Sequence, residues 1–414
     1  MKRKCKMAVA FVLILAVLVP LSSLGCGGGG DDKVTIVIGQ MTDLTGVASP
    51  ALKHITRITQ DIARYYNDED LIPGATINMI FYDTKYDPSR YIPGYDWCKS
   101  KGADVIITIL ADVAEVFKPF AERDKIAIAS MSGTAELFEP PGWVFGVSGS
   151  LNDGSESLLK WVRENDWKGQ GIPKIGVVGW TTAQSQDVGN TVEAYLRDHP
   201  GLYQYVARYS APPGTMNWRT EAERLKDCDY IACVSGTMLG YFLRDLRSFG
   251  SDATIIDCLS SIGSYRTFYS DLVGWEALDG CYSTANSFYW TDSDPIVDLA
   301  KTVVHRYRSS SEAEEIIASG NGYVGPAAML VAIFEILQQA VEKVGAENFN
   351  GQAYYDAAIN YKTTSTMWQN YPEFGFSQTR RMLMDQCVIT GFKGGDVKDY
   401  VTLTGWLPAP PIEE

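Results

Sequence analysis

The feature of this sequence that most constrains its fold is an alternation of short apolar runs with amphipathic segments. Residues 34–39 form an uninterrupted apolar run, which is typical of a strand buried on both faces. Helical spacing follows over residues 51–67, with Ile55 and Ile62 on one side. Strand and helix continue to alternate up to residue 130, which predicts a parallel sheet with helices on both faces.

The alternation then starts again. A second set of strand and helix patterns covers residues 153–284, and a helix-rich segment from residue 294 ends in short strands. The folded part begins near residue 33 and has about 380 residues, which is too many for one ordinary core. We therefore predict an α/β protein of two doubly wound parallel-sheet lobes, followed by an irregular Pro-rich tail over residues 406–414.

The N-terminal segment, residues 1–26, has the three parts of a secretory signal. A basic head precedes an apolar run over residues 7–20, and small residues close the segment. The run is shorter than the ~20 residues that a membrane-spanning helix needs. The Leu-Gly-Cys ending resembles a bacterial lipoprotein processing site, which implies lipidation of Cys26 and a flexible tether over residues 27–33. The alternative is ordinary secretion with Cys26 free or in a disulfide.

Charge and cysteine content limit the partners and cofactors. The formal net charge is −14, and an acidic surface repels phosphate backbones, so we expect no nucleic-acid partner. Six cysteines lie outside the N-terminal segment, and four of them fall within residues 228–281, where an oxidising compartment permits a disulfide. The three histidines are scattered and there is no Cys-x-x-Cys pair, so neither a metal nor another cofactor is expected.

Motifs for catalysis and nucleotide binding have little support. Residues 320–325 match Gly-x-Gly-x-x-Gly, but a polar helical stretch precedes them where a dinucleotide site needs a strand. These glycines therefore predict a turn and a helix entry. No Gly-x-Ser-x-Gly elbow, phosphate loop or His-Glu-x-x-His occurs, and no nucleophile has an obvious base, so we do not expect an enzyme. The apolar segment 326–344 contains Glu335, which favours a buried helix over a membrane span.

The loops that follow the predicted strands contain small hydroxyl-bearing residues in both halves. Ligands of open α/β sheets bind outside the carboxyl ends of the strands, where hydroxyl groups and helix N-termini can converge on a carboxylate or amide. Helix capping is the alternative role for any single Ser or Thr. The candidate loop residues are Ala111, Asp112, Ser132, Gly133, Thr134, Thr181, Gln184, Ser235 and Ser260.

Five segments, in this order and spacing, carry a family resemblance: residues 34–46, 82–88, 125–137 and 242–250, and the helix entry at Tyr323. With them the chain resembles the type I periplasmic-binding-protein fold, close to the branched-chain amino acid receptors that serve ABC transporters. The resemblance implies two lobes joined by three crossings of the chain, and a cleft that closes on a small ligand.

The lobe boundaries follow from that resemblance. We assign residues 34–149 and 285–372 to one lobe, and residues 150–284 and 373–405 to the other. Tyr323, at the helix entry, joins the candidate ligand-binding residues.

The family's ligand contacts are only partly matched. Its loop after the fourth strand falls on Ser132, Gly133 and Thr134, but its serine-rich loop after the third strand falls on residues 111–114, where no serine remains. The family's second-lobe tyrosine falls near Gln184, and the acidic residue that holds the ligand's ammonium falls near Ser260. Neither position matches in type. Asp112 or Asp257 could substitute, although neither stands at the expected place.

These mismatches predict a ligand other than a leucine-like zwitterion, because an unpaired buried ammonium is costly. An amphiphilic or aromatic carboxylate, or an amide, fits better. Aromatic residues fall in stretches near the cleft or hinge: Trp180, Phe288, Tyr289, Trp290 and Tyr323.

The sequence therefore predicts a monomeric, extracytoplasmic, lipid-anchored solute-binding protein of an ABC importer, which presents its closed form to the permease. One alternative is a ligand-sensing receptor that presents the closed form to a signalling partner. The other is a secreted α/β hydrolase, for which the sequence offers no triad.

Overall fold

The computed structural model describes residues 33–134, 136–234, 236, 238–392 and 400–408. The predicted signal with Cys26, the tether up to residue 32, Ser235 and the last part of the Pro-rich tail lie outside these residues. No helix in the described part of the chain combines the length and the apolar character that crossing a membrane requires.

Strands and helices alternate along the described chain. The strands are β1 (Val34–Thr42), β2 (Ala75–Asp83), β3 (Ala103–Thr108), β4 (Ala127–Ser130), β5 (Val144–Gly149), β6 (Lys174–Trp180), β7 (Gln204–Ala211), β8 (Tyr230–Val234), β9 (Thr254–Asp257), β10 (Tyr282–Ala285), β11 (Met382–Met384), β12 (Gln386–Phe392), β13 (Tyr400–Thr402) and β14 (Leu407–Pro408). The helices are α1 (Ser49–Asp68), α2 (Tyr91–Ser100), α3 (Ala111–Asp124), α4 (Leu151–Asn165), α5 (Ala183–Asp198), α6 (Arg219–Leu225), α7 (Met238–Ser248), α8 (Ser261–Ser264), α9 (Arg266–Val273), α10 (Pro295–Tyr307), α11 (Ser310–Ser319), α12 (Ala327–Val344) and α13 (Gly351–Ala358).

The strands form two sheets. The first has the order β11-β5-β4-β3-β1-β2 and is parallel throughout. In the second, β7-β6-β8-β9-β10 are parallel, β12 and β13 continue the sheet antiparallel, and β14 pairs with β12. Helices α1–α3 and α10–α13 surround the first sheet, and α4–α9 surround the second. We call each sheet with its helices the first and the second lobe.

The chain crosses between the lobes three times, after β5, after β10 and after β11. Two parallel-sheet lobes joined in this way confirm the predicted architecture. One strand differs from the sequence-based division: Met382 pairs with Gly146 in the first sheet, whereas we had assigned residues 373–405 to the second lobe. A strand of three residues has no sequence pattern that tells which sheet it joins. The other lobe boundaries stay a prediction.

Two local expectations are corrected, and one strand, β5, had not been predicted, because Gly146 and Gly149 interrupt its apolar pattern. The Pro-rich tail is not irregular throughout, since Leu407–Pro408 pairs with β12. The described cysteines are all free and buried, so the expected disulfide within residues 228–281 does not form. Cys233 lies opposite Asp257 in the parallel register, so Cys258 points to the other face of the sheet.

The apolar segment from residue 326 is a buried helix of the first lobe, as predicted. Most of α12 is inaccessible to solvent. Its carboxylate at Glu335 accepts hydrogen bonds from Tyr361 Oη (2.6 Å), Ser365 Oγ (2.6 Å) and Trp368 Nε1 (2.9 Å). The Glu335 carboxylate therefore has its hydrogen-bond donors in the segment that follows α13.

Candidate ligand-binding cleft

A cavity of about 230 Å³ lies between the two lobes at the carboxyl ends of their strands. This is below the ~300–1,000 Å³ of sites for drug-sized ligands, so the cavity suits a smaller molecule. The first lobe contributes Ala48, Leu52, Ile55, Tyr86, Ile109, Leu110, Met131, Ser132, Ser148, Asn321, Gly322, Gly325, Pro326 and Met329 to its walls. The second lobe and the crossing after β10 contribute Leu151, Trp180, Thr182, Gln184, Ser185, Gly236, Leu259, Ser260, Ser261, Ser264, Tyr265, Ala285, Asn286 and Ser287. We call this cavity the cleft.

Three of the predicted residues line the cleft: Ser132 from the first lobe, and Gln184 and Ser260 from the second. Ser132 Oγ donates to the carbonyl of Ile109 at 2.9 Å, which fixes the loop after β4 against the loop after β3. Ser260 has a left-handed backbone (φ 56°) just before α8. Hydroxyl and amide groups from both lobes therefore face the same volume.

Four other predicted residues do not line the cleft. Ala111 is buried and Asp112 half-buried in the first turn of α3, where burial raises the pKa of the Asp112 carboxyl. Gly133 packs against Phe138 and Leu137, and Thr181 is exposed.

Thr134 lies in a groove at the rim of the cleft, between the lobes, with Glu115 and Asp187. Its Oγ1 donates to Glu115 Oε1 at 3.1 Å. The Thr134 hydroxyl is therefore hydrogen-bonded to an acidic side chain of its own lobe.

Tyr323 serves a structural role in the first lobe. Its hydroxyl donates to Asp61 Oδ2 at 2.6 Å, and its ring stacks on Trp290 with the ring centroids 6.0 Å apart. Asp61 also accepts two hydrogen bonds of 2.8 Å from the Arg308 guanidinium. Tyr323 therefore connects the entry of α12 to α1, and its neighbours Gly322 and Gly325 line the cleft instead.

The cleft walls bear no formal charge. None of the described lining residues is Asp, Glu, Lys, Arg or His. Tyr86 and Tyr265 are the titratable groups among them, and burial, the largest cause in each case, raises the pKa of both phenols so that they stay neutral. The nearby Asp257 carboxylate is buried and does not line the cleft. It accepts hydrogen bonds from the backbone of Leu259 and Ile262 and from two serine hydroxyls.

Tyr86 reaches the cleft on an unusual backbone. Lys85 and Tyr86 both have φ of 56°, which costs a non-glycine residue about 1 kcal/mol or more. The Asp83 carboxylate holds this turn by accepting from the backbone of Lys85 (3.1 Å) and Leu44 (2.9 Å). The result is that the Tyr86 ring lies edge-on to Trp180 of the second lobe, with the centroids 6.2 Å apart. The two lobes are thus in contact across the cleft.

A second contact between the lobes joins α8 to the loop before α12. Asn321 N donates to the carbonyl of Gly263 at 2.8 Å, and Ser264 Oγ donates to Asn321 Oδ1 at 2.8 Å. The approach needs glycine on both sides, because a Cβ on Gly320 would lie 1.9 Å from the Gly263 carbonyl oxygen. We call Gly263, Ser264, Gly320 and Asn321 the clasp. The Gly-x-Gly-x-x-Gly segment therefore binds the other lobe.

Sequence reasoning missed Tyr86, Asn321, Asn286 and Tyr265 as lining residues. A signal was available for two of them: Tyr86 lies in the 82–88 segment and Asn321 in the glycine motif, both of which the sequence singled out. Their positions depend on how the two lobes face each other, which no local pattern encodes.

Comparisons with known proteins agree with this geometry. The family model described as periplasmic binding protein matches residues 35–396. A branched-chain amino acid ABC transporter protein from Thermus thermophilus, solved with bound valine, has a TM-score of 0.76 at 16% identity and covers 91% of this chain and 97% of its own. A fatty acid ABC transporter substrate-binding protein from Thermomonospora curvata has a TM-score of 0.73 at 16% identity, with coverages of 91% and 92%.

A solute-binding protein of an ABC transporter from R. palustris, in complex with benzoate, has a TM-score of 0.70 at 15% identity, with coverages of 92% and 98%. Curated protein sequences give no significant match. At these identities the solved structures establish the fold. Together with the family model, they confirm the resemblance inferred from the sequence.

Proposed function

Because this chain belongs to the periplasmic binding protein family, we propose that it is the extracytoplasmic solute-binding protein of an ABC importer. Its ligand is a small amphiphile: an amino acid, an amide, or an aromatic or aliphatic carboxylate. The observation that carries this proposal is a cleft whose walls come from both lobes, with polar groups among apolar side chains. Ser132, Gln184 and Ser260 are the predicted residues that we propose as ligand contacts.

Hinge closure is the mechanism. The lobes exchange between open and closed forms, and a ligand that contacts both lobes gains its full set of interactions only in the closed form. The ligand therefore shifts the population toward closure by that difference in affinity. The chain acts by binding alone, since the family and its relatives are solute-binding proteins.

The N-terminal signal supports a location outside the cytoplasm. Lipidation at Cys26 and the following Gly-rich tether would hold the receptor beside a membrane, which raises its effective concentration at a permease. Mass spectrometry of the native protein tests this part, since a diacylglyceryl-modified Cys26 at the mature N-terminus is the expected species. An unmodified Cys26 would contradict the anchor and leave the binding function intact.

Solution scattering tests the binding function. A compact chain of this length has a radius of gyration of roughly 21 Å, and an open two-lobed form is larger. We expect the radius to decrease when a binding solute is added to ligand-free protein, refolded from denaturant to remove co-purified molecules. An unchanged radius with every solute that binds by calorimetry would contradict hinge closure.

A further inference from the structure

The chemistry of the cleft narrows the ligand class, and this step rests on the proposed binding function. The described lining residues carry no ionised side chain of either sign. A charged ligand group enclosed here would lose its water without gaining a counter-charge, and such burial is strongly unfavourable. A ligand ammonium would have no carboxylate partner among these lining residues, and a ligand carboxylate would have no Lys or Arg partner.

Carboxylates of the protein already occupy two of the backbone sites that could hold an anion. Asp43 precedes α1 and accepts hydrogen bonds from the backbone of Gly46 and Ala48. Asp257 accepts from the backbone of Leu259 and Ile262 where the chain enters α8. Asp112 stands in the first turn of α3. These carboxylates use backbone donors near the ligand, although the first turns of α5 and α12, which also line the cleft, contain no acidic residue.

Side-chain amides supply neutral hydrogen-bonding groups in the cleft. Gln184, Asn286 and Asn321 line the cavity, and each amide offers both a donor and an acceptor without a formal charge.

Apolar side chains and uncharged hydroxyl groups form the remaining walls. Leu52, Ile55 and Ile109 of the first lobe and Leu151 and Leu259 of the second enclose the cavity. We infer that the cleft selects an uncharged molecule, with a small apolar body and an amide-like polar head that forms hydrogen bonds with the side-chain amides of Gln184, Asn286 and Asn321. Neutral hydrogen bonds hold the head, and the apolar walls hold the body.

Calorimetric titration of ligand-free protein with two matched sets of probes tests the charge preference. The first set is isovaleramide, isovalerate and leucine, and the second is benzamide, benzoate and phenylalanine. Within a set the carbon skeleton is similar and the charge differs. We expect the amide to bind roughly tenfold or more tightly than the anion and the zwitterion. An acid or amino acid that binds as tightly as its amide overturns the inference, and so does the absence of binding by both amides.

These failures are separable from failure of the binding function. An acid or amino acid that binds and reduces the radius of gyration would retain the solute-binding function and overturn the charge preference. The absence of any closing solute among all six probes would count against both.

Discussion

Asp61 shows how a single buried side chain stabilises the first lobe. It is 1% exposed and lies on α1, where it accepts hydrogen bonds from Arg308 and Tyr323. The guanidinium contacts it through two nitrogens, a geometry that is stronger than a single contact. These three residues join α1, the end of α10 and the entry of α12.

We expect Asp61→Ala to lower the free energy of unfolding by about 3 kcal/mol, because it leaves the half-buried Arg308 guanidinium without its counter-charge and the buried Tyr323 hydroxyl without its acceptor. Urea denaturation followed by circular dichroism measures the change. Asp298→Ala is the control, since its carboxylate is 67% exposed beside Lys301 and should cost less than about 1 kcal/mol. Equal losses in the two variants would contradict the structural role of the Asp61 network.

His54 makes a second prediction, on pH dependence. It is 2% exposed on α1, and burial, with Lys53 and Arg57 nearby, lowers its pKa from 6.5 to about 4. The unfolded chain binds a proton below pH 6.5 and the folded chain does not, so stability falls as the pH decreases from about 6.5 to 4.

We expect His54→Gln to remove roughly 2 kcal/mol of this acid-dependent loss, measured as the difference between the free energies of unfolding from urea denaturation at pH 7 and pH 4.5. His305→Gln, at an exposed position on α10, should keep the wild-type pH dependence. A wild-type slope in His54→Gln would show that this imidazole is charged in the folded state.

At the scale of elements, the clasp is the contact most sensitive to shape. Gly263 belongs to α8 of the second lobe, and a Cβ there would lie 2.8 Å from Asn321 Nδ2 of the first lobe. Ser264 holds that Asn321 side chain, so it cannot move away without losing a hydrogen bond. The crowding exists only while the lobes are closed.

We therefore expect Gly263→Ala to weaken ligand binding roughly fivefold, corresponding to an overpacking cost of about 1 kcal/mol. Stability without ligand should not fall, because alanine is favoured over glycine in a helix. Calorimetry and thermal unfolding measure the two quantities. Gly201→Ala, whose added Cβ meets no atom within 4 Å, is the control. Wild-type affinity in Gly263→Ala would show that the clasp is not part of the ligand-bound form.

The same elements show what sequence could predict. Apolar runs such as the one that starts at Val34 identified the buried parallel strands, because burial on both faces leaves a strong local pattern. Ser132, Gln184 and Ser260 were found because loops at the carboxyl ends of strands face the ligand side. Tyr323 was assigned to the ligand, since a helix entry in sequence does not reveal that the hydroxyl contacts Asp61, 262 positions away.

At the scale of the whole molecule, the rim of the cleft brings acidic groups of both lobes together. Glu115 and Glu136 of the first lobe face Asp187 of the second, with Lys118 beside them. Burial first, and then Asp112, Glu136 and Asp187, raise the pKa of Glu115, while its hydrogen bond from Thr134 opposes the shift. Closure brings these carboxylates together and therefore disfavours the ionised form of Glu115.

We expect affinity for an uncharged ligand to rise roughly twofold to threefold as the pH decreases from 7 to 5, because closure favours the protonated form of Glu115. Asp187→Asn should raise affinity at pH 7 and flatten this pH profile. Asp198→Asn, exposed at the end of α5, is the control. An affinity that decreases with acidification, in wild type and Asp187→Asn alike, would contradict repulsion across the rim.

The contact between Tyr86 and Trp180 has one practical consequence. An indole that lies between the two lobes in the closed form becomes hydrated when they separate, so its emission should shift to longer wavelength on opening. The chain thus contains its own fluorescent reporter of closure, and the difference between spectra of wild type and Trp180→Phe isolates that signal from the other tryptophans. Stopped-flow recordings could then follow the jaw-like motion in real time without attaching a dye.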